Sequence, residues 1–186
     1  MFIIRKIYSF LIDTLQTILL AASVFIVIYI FLFRPFQVKG ASMYPNFQDN
    51  EYVLTNIVTL KIGQIRRGDV IVFKAPTDEE KDYIKRVIGL GGDTISVKDG
   101  AVFINDEKLD ESAYLKNDVK TYPGAFLQEG MSTTVPQGQY FVLGDNRSYS
   151  SDSREWGYVG KDAVIGMSFY IYWPLDKMSL VKNPYN

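Results

Sequence analysis

Apolar residues fall in two regimes along the chain. Ile18 to Phe33 is sixteen residues without a charge, and counting from Thr14 the stretch reaches twenty. At about 1.5 Å per residue, twenty residues match a hydrocarbon layer of about 30 Å. The pattern therefore predicts a membrane helix over about 14–33. Asp13 stands before it, and Arg34-Pro35 ends it with a charge and a helix stop. A cleavable export signal has a shorter apolar region and a small-residue cleavage site. Here the longer run leads straight into Arg34-Pro35-Phe36, which favours an anchor. Arg5 and Lys6 precede the run while Arg34 and Lys39 follow it, so flanking charge alone leaves orientation open.

Beyond the run, the pattern changes to short segments rich in Val, Ile, Phe and Tyr. Glu51–Val58, Asp69–Lys74, Tyr83–Ile88, Thr94–Lys98, Ala101–Ile104, Gln139–Leu143 and Ala163–Trp173 read as strands. Asp99-Gly100 between two of them signals a two-residue hairpin, because both residues tolerate the positive φ of a type I′ turn. The apolar stretch Val164–Trp173 is too short to span a bilayer as a helix and reads as a buried strand. Gly89 to Asp93 is a turn cluster that lacks the Walker spacing of a phosphate loop. Residues 106–130 are polar and poorly periodic, and read as an excursion from the sheet. The expected architecture is an anchor over 1–34 and a mostly β, largely antiparallel domain over 35–186.

Composition narrows the chemistry. Among 186 residues, twenty basic and twenty-one acidic side chains nearly cancel, so there is no basic excess of the kind that nucleic-acid binding requires. The chain has no His and no Cys. A Ser-His-Asp triad, a Cys-His dyad and a metal held by imidazole or thiolate are excluded. Any nucleophilic hydroxyl must take its base from Lys, Asp, Glu or Tyr.

Four segments could carry such chemistry. Gly40-Ala41-Ser42-Met43-Tyr44-Pro45 presents a hydroxyl among small residues on a strand-like stretch close behind the membrane run, with an amide able to donate to an oxyanion. The plainer reading is a Ser in a turn before Pro. In Asp82-Tyr83-Ile84-Lys85-Arg86-Val87-Ile88, strand alternation puts Lys85 on one face with Tyr83 and Val87. At an ordinary pKa near 10.4 only about one such amine in a thousand is neutral at pH 7.4. Burial lowers that pKa and produces the base; the alternative is a Lys that snorkels to water. Arg67-Gly68-Asp69-Val70-Ile71-Val72-Phe73 reads as a turn into a buried strand. Gly144 to Arg154, dense in turn formers and charge, is either a solvated loop or one folded over the site.

In this order, and behind an anchor, the four segments resemble the bacterial type I signal peptidases, membrane proteases with a serine/lysine dyad. The resemblance runs from Arg34 into the last strand. It implies Ser42 as nucleophile and Lys85 as general base. It also implies that Ser150 orients the Lys, that Arg86 pairs with Asp145, and that Asp152 and Arg154 support the site. It implies a fold that itself touches the membrane, exported preproteins as substrates, cleavage after small-x-small sequences, and proximity to the secretion translocon. It calls for no cofactor and no metal. Phe36, Val38, Gly40, Met43, Tyr83 and Ile84 are the expected substrate-binding residues. Gly40 replaces a Ser that supplies an oxyanion donor in some members, and Asn46 stands where Thr is usual. The implied location is the bacterial cytoplasmic membrane, with the N-terminus inside and the domain outside. Two rivals are a tethered binding module without catalysis and a serine/lysine protease cutting a soluble repressor. The second fits poorly with an anchor and no DNA-binding segment.

Overall fold

The computed structural model describes residues 2–58 and 64–185. The chain divides into two compact units, Met1–Arg34 and Pro35–Asn186.

The first unit is helix α1, Phe2–Leu32. Its stretch long and apolar enough to cross a membrane is Ile3–Val27, earlier than the expected 14–33. The residues before Thr14 are themselves mostly apolar helix formers, and Arg5, Lys6 and Asp13 interrupt them without a Gly or Pro to break the helix. Phe33 is not helical: it begins strand β1, Phe33–Gln37.

The second unit is built on two sheets. The larger runs in the order β1, β2 (Tyr52–Asn56), β11 (Val164–Trp173), β3 (Val70–Ala75), β4 (Asp78–Gly89), β9 (Gln139–Leu143) and β10 (Val159–Gly160), with β12 (Ser179–Leu180) also on β11. The smaller runs β7 (Glu107–Lys108), β6 (Ala101–Ile104), β5 (Thr94–Lys98) and β8 (Ser132–Thr134). Every pairing with a described register is antiparallel. A four-residue helix α2, Ser153–Trp156, follows β9.

Local chemistry accounts for much of this. Asp99 and Gly100 adopt φ of 52° and 78° between β5 and β6, where Lys98 faces Ala101 across the turn. Asn105 and Asp106 make a second such turn into β7, with φ of 52° and 67°. That turn lacks glycine, and Asn and Asp are the other residues that visit this region. Strand β11 alternates between buried and less buried positions, because one face packs on the core.

Among the described residues, three apolar clusters fill the domain. Ile88, Ile95, Val97, Phe141 and Leu143 join the small sheet to the large one. Ile71, Phe73, Val87 and Val142 lie under β3, β4 and β9. Val38, Met43, Phe47, Val53 and Val70 lie under the loop after β1. The 106–130 excursion is more than a polar detour. Its Tyr114, Leu115 and Leu127 are buried in the first cluster, isolated anchors whose spacing follows no helix or strand period.

Candidate active site

Three segments converge. The first is the loop after β1. Its residues 40–46 form turns rather than the expected strand-like stretch. Gly40 takes φ of 83°, a region that favours glycine, and its amide donates to Asp49 Oδ1 at 2.7 Å. Met43 and Phe47 are buried, and Phe47 N donates to Met43 O at 2.9 Å. These two anchors fix the position of Ser42 between them and the cleft. Met43, expected on the substrate surface, instead belongs to the core. In a turn, unlike a strand, neighbouring side chains need not alternate between cleft and interior.

The second is β4. Residues Lys85 and Arg86 are both buried although charged. Lys85 faces Ile71 across the β3 ladder, and Tyr83 faces Phe73, so the Lys stem runs along apolar neighbours. Its Nζ lies 2.7 Å from Ser42 Oγ and 3.0 Å from the Ile84 carbonyl oxygen. Burial pushes its pKa down to about 8, against the opposing pull of Asp152 and Asp145. At pH 7.4 about a fifth of such amines are neutral, compared with about one in a thousand at the ordinary value.

The third is the loop after β9. Asn146 N donates to Ser42 O at 3.0 Å, and Asn146 Nδ2 donates to Ala41 O at 3.0 Å. The loop therefore grips the backbone of the segment bearing Ser42. Asp145 accepts from Arg86 Nε at 2.8 Å and from Arg86 Nη2 at 2.6 Å. Asp152 accepts from Arg154 Nε and Nη2, both at 2.8 Å, and from Gly144 N at 3.1 Å. Arg154 also donates to Arg147 O and Tyr122 O. These are paired, desolvated charges with well-formed forks. Arg86 thus pairs with Asp145, and Asp152 with Arg154.

Ser150 is placed differently from its expected role. Its hydroxyl is buried without a hydrogen-bond partner and does not contact Lys85 as a bonded group. It sits instead in the volume that the missing Cβ of Gly144 leaves open.

Several further residues take part that no motif marks. Asn46 Nδ2 donates to Asp145 Oδ2 at 2.8 Å and to Tyr114 O at 2.9 Å, so the residue in place of Thr ties the Ser42 loop to the Arg86–Asp145 pair. Arg147 is fully buried and forks onto Glu111. The Arg86 guanidinium stacks 4.4 Å from the Tyr114 ring. Burial, and Glu111 after it, push the Tyr114 phenol up from its ordinary value. Gly144, Asn146 and Arg147 belong to the turn-rich, charged stretch from Gly144 to Arg154, whereas Glu111 lies in a segment with no local signal of chemistry.

A cleft of about 840 Å³ opens on Ser42 and Lys85. Phe36, Val38, Gly40, Tyr83 and Ile84 line it, and Met43 does not. On the β9 side the described register of β4 begins at Arg86 and runs to Gly89. The backbone of Asp82–Lys85 thus has no strand partner there among the described residues. Such an edge can accept an extended peptide.

The family model described as signal peptidase, peptidase S26, matches residues 11–173. The chain is 34% identical over 188 residues to signal peptidase IB of Staphylococcus aureus strain MRSA252, covering 94% of this chain and 97% of that protein. It is 35% identical over 175 residues to signal peptidase I T of Bacillus subtilis strain 168, covering 90% and 88%. It is also similar to a crystal structure of a signal peptidase I from Enterococcus faecalis V583, at 33% identity and a TM-score of 0.47, covering 56% of this chain and 96% of that one.

Proposed function

From the premise that the chain belongs to the S26 family of signal peptidases, which are serine peptidases, we propose that it removes signal peptides from exported preproteins with Ser42 as nucleophile and neutral Lys85 as base. The observation that carries the reading is the 2.7 Å separation of Lys85 Nζ and Ser42 Oγ in a buried setting. In the amine form the hydroxyl donates to the Nζ lone pair, which is the geometry for proton transfer.

Lys85 takes the proton as Ser42 Oγ attacks the scissile carbonyl. The Ser42 amide, which makes no hydrogen bond among the described residues, donates to the resulting oxyanion. The Lys85 ammonium returns the proton to the departing amine. The freed amine then activates water to hydrolyse the acyl-enzyme. Asp145, Asp152, Arg86 and Arg154 hold the loop that grips the nucleophile's backbone, and the role proposed for Ser150 is to orient the Lys85 amine through its otherwise unpartnered hydroxyl.

The substrate lies extended along the free edge of β4, between Asp82–Lys85 and the residues near Phe36–Ala41. Its side chains alternate, so the first and third residues before the cut face the wall formed by Phe36, Val38, Tyr83 and Ile84. Shallow space there selects small groups and gives cleavage after Ala-x-Ala-like sequences. Helix α1 anchors the enzyme in the cytoplasmic membrane, so that a substrate held by its own apolar segment meets it at high effective concentration near the translocon. Exposed Trp173, Leu175, Met178 and Leu180 give the domain its own contact with lipid. Cleavage sites emerge on the far side of the membrane, which places the domain outside and the N-terminus inside.

The test is cleavage of a purified preprotein in detergent micelles, with mass spectrometry of the products. A new amino terminus after a small residue is expected, and Ser42→Ala, Lys85→Ala and Lys85→Arg each abolish it. Arg fails because its guanidinium stays charged. Near-wild-type turnover by any of the three contradicts the dyad.

A further inference from the structure

The turn at 67–69 stands outside the lining of the cleft, yet it carries Arg86. Gly68 N donates to Val87 O and Val87 N donates to Asp69 O, both at 2.8 Å, so the turn is laced to β4 one residue beyond Arg86. Arg86 Nη1 donates to Gly68 O at 2.9 Å, while its Nε and Nη2 go to Asp145. The segment after β12 holds the same turn from its other side. Asn183 Nδ2 donates to Arg67 O at 2.9 Å and to Asp69 Oδ1 at 2.7 Å. We propose that Asn183 and Tyr185 are positioning residues for the cleavage reaction, bracing the turn and the ring against which Arg86 is set. The proposal rests on the peptidase reading above and adds to it residues remote from the cleft.

The 67–69 turn is shaped to receive this segment. Gly68 takes φ of 91°, and a Cβ there would stand 2.5 Å from Asn183 Oδ1, 2.8 Å from Tyr185 Cδ2 and 2.9 Å from Pro184 Cδ. Asn183 Oδ1 accepts from Tyr185 N at 2.8 Å, which sets the course of the segment. Tyr185 OH donates to Asp110 O at 2.9 Å. Its ring meets that of Tyr114 edge-on, with centroids 6.3 Å apart and planes at 86°. Tyr114 is the ring on which the Arg86 guanidinium stacks. Arg86 is thus met by the Gly68 carbonyl and by the Tyr114 ring, and one three-residue segment holds both.

A guanidinium is planar and rigid, so moving its acceptor at one end tilts the fork at the other. Asp145 is then less fully paired. The groups facing Lys85 Nζ are Ser42 Oγ at 2.7 Å, the Tyr83 ring at 5.2 Å, and the carboxylates of Asp145 and Asp152, with Ile71 opposite on β3. Both carboxylates favour the ammonium form of Lys85, and Arg86 offsets the charge of Asp145. A loosened fork therefore leaves less neutral amine at pH 7. It also disturbs the carboxylate to which Asn46 ties the nucleophile loop.

The test is the pH profile of preprotein cleavage by the whole chain in detergent micelles, for wild type, Asn183→Leu, Tyr185→Ala and Tyr185→Phe. Leu keeps the volume of Asn and removes both donated bonds. Asn183→Leu and Tyr185→Ala are each expected to raise the apparent pKa of kcat/KM by about half a unit. At pH 7 that is about a threefold loss, carried by kcat with KM unchanged, and the deficit closes by pH 9.5. Tyr185→Phe keeps the ring against Gly68 and Tyr114 and restores most of the wild-type profile. Circular dichroism establishes that each variant compared is folded, and Asn183→Ala supplies the same readout if Leu at 183 prevents folding. Profiles that superimpose on wild type, or a deficit of equal size at every pH, overturn the positioning role and leave the peptidase reading intact. No cleavage by the wild-type protein overturns both.

Discussion

The hydroxyl of Ser150 occupies the space that a side chain on Gly144 would take; a Cβ there would overlap both Ser150 Oγ and the Ser42 carbonyl oxygen. Glycine at 144 is therefore a packing requirement of the site. Gly144→Ala must push apart the nucleophile loop and the loop after β9. A shift near 1 Å costs about 10²-fold in rate, so kcat for preprotein cleavage should fall by at least about that factor. Circular dichroism should show the sheets intact.

Ser150 separates stability from rate. A buried hydroxyl without a partner costs the folded state about 1–3 kcal/mol. Ser150→Ala should leave the urea midpoint unchanged or raise it, while single-turnover cleavage slows. Loss of stability together with unchanged rate would contradict the role given to it.

The Arg86–Asp145 fork is buried on both sides, with side-chain exposures of 4% and 0%. Removing one partner strands the other charge. Asp145→Ala should destabilise the protein by about 3–5 kcal/mol, read as a lower urea midpoint. Asn46→Ala removes one hydrogen bond to the same carboxylate and one to Tyr114 O. Its cost should be nearer 1–3 kcal/mol.

Lys85 links stability to pH. Its folded pKa is about 8, against an ordinary 10.5. Between those values the unfolded chain holds a proton that the folded chain has lost, so stability rises with pH across that window. Below it the folded state carries a buried ammonium. Lys85→Met should flatten the window and make the protein more stable at pH 7 by an amount on the order of 3 kcal/mol. Urea titrations at pH 7, 9 and 10.5 measure this.

Strands were legible where their signals were local. Thr94–Lys98, Ala101–Ile104 and Gln139–Leu143 match their expected bounds, because alternation and the Asp99-Gly100 turn are written in neighbouring residues. Two-residue strands such as Val159–Gly160 carry too little pattern to be read, and they exist only because β9 offers them a partner. In the site, Ser42, Lys85, Arg86 and Asp145 lie in segments whose residue types already suggest chemistry. Glu111 does not. It gains its place from Arg147, thirty-six positions away, and no local period encodes that contact. Met43 was misplaced for a related reason: whether a side chain beside a nucleophile faces the cleft or the core depends on the turn geometry, which sequence spacing leaves undetermined.

The proposed catalysis depends on a neutral amine at Lys85 receiving the Ser42 proton, and the pH dependence of kcat/KM for preprotein cleavage tests this most directly, because it reports the ionisation of the free enzyme's base. The predicted profile rises with unit slope from pH 6 and levels off above an apparent pKa of about 8. A rate that is flat from pH 6 to 9.5, or one that climbs without levelling until the ordinary lysine range near 10.5, would contradict it.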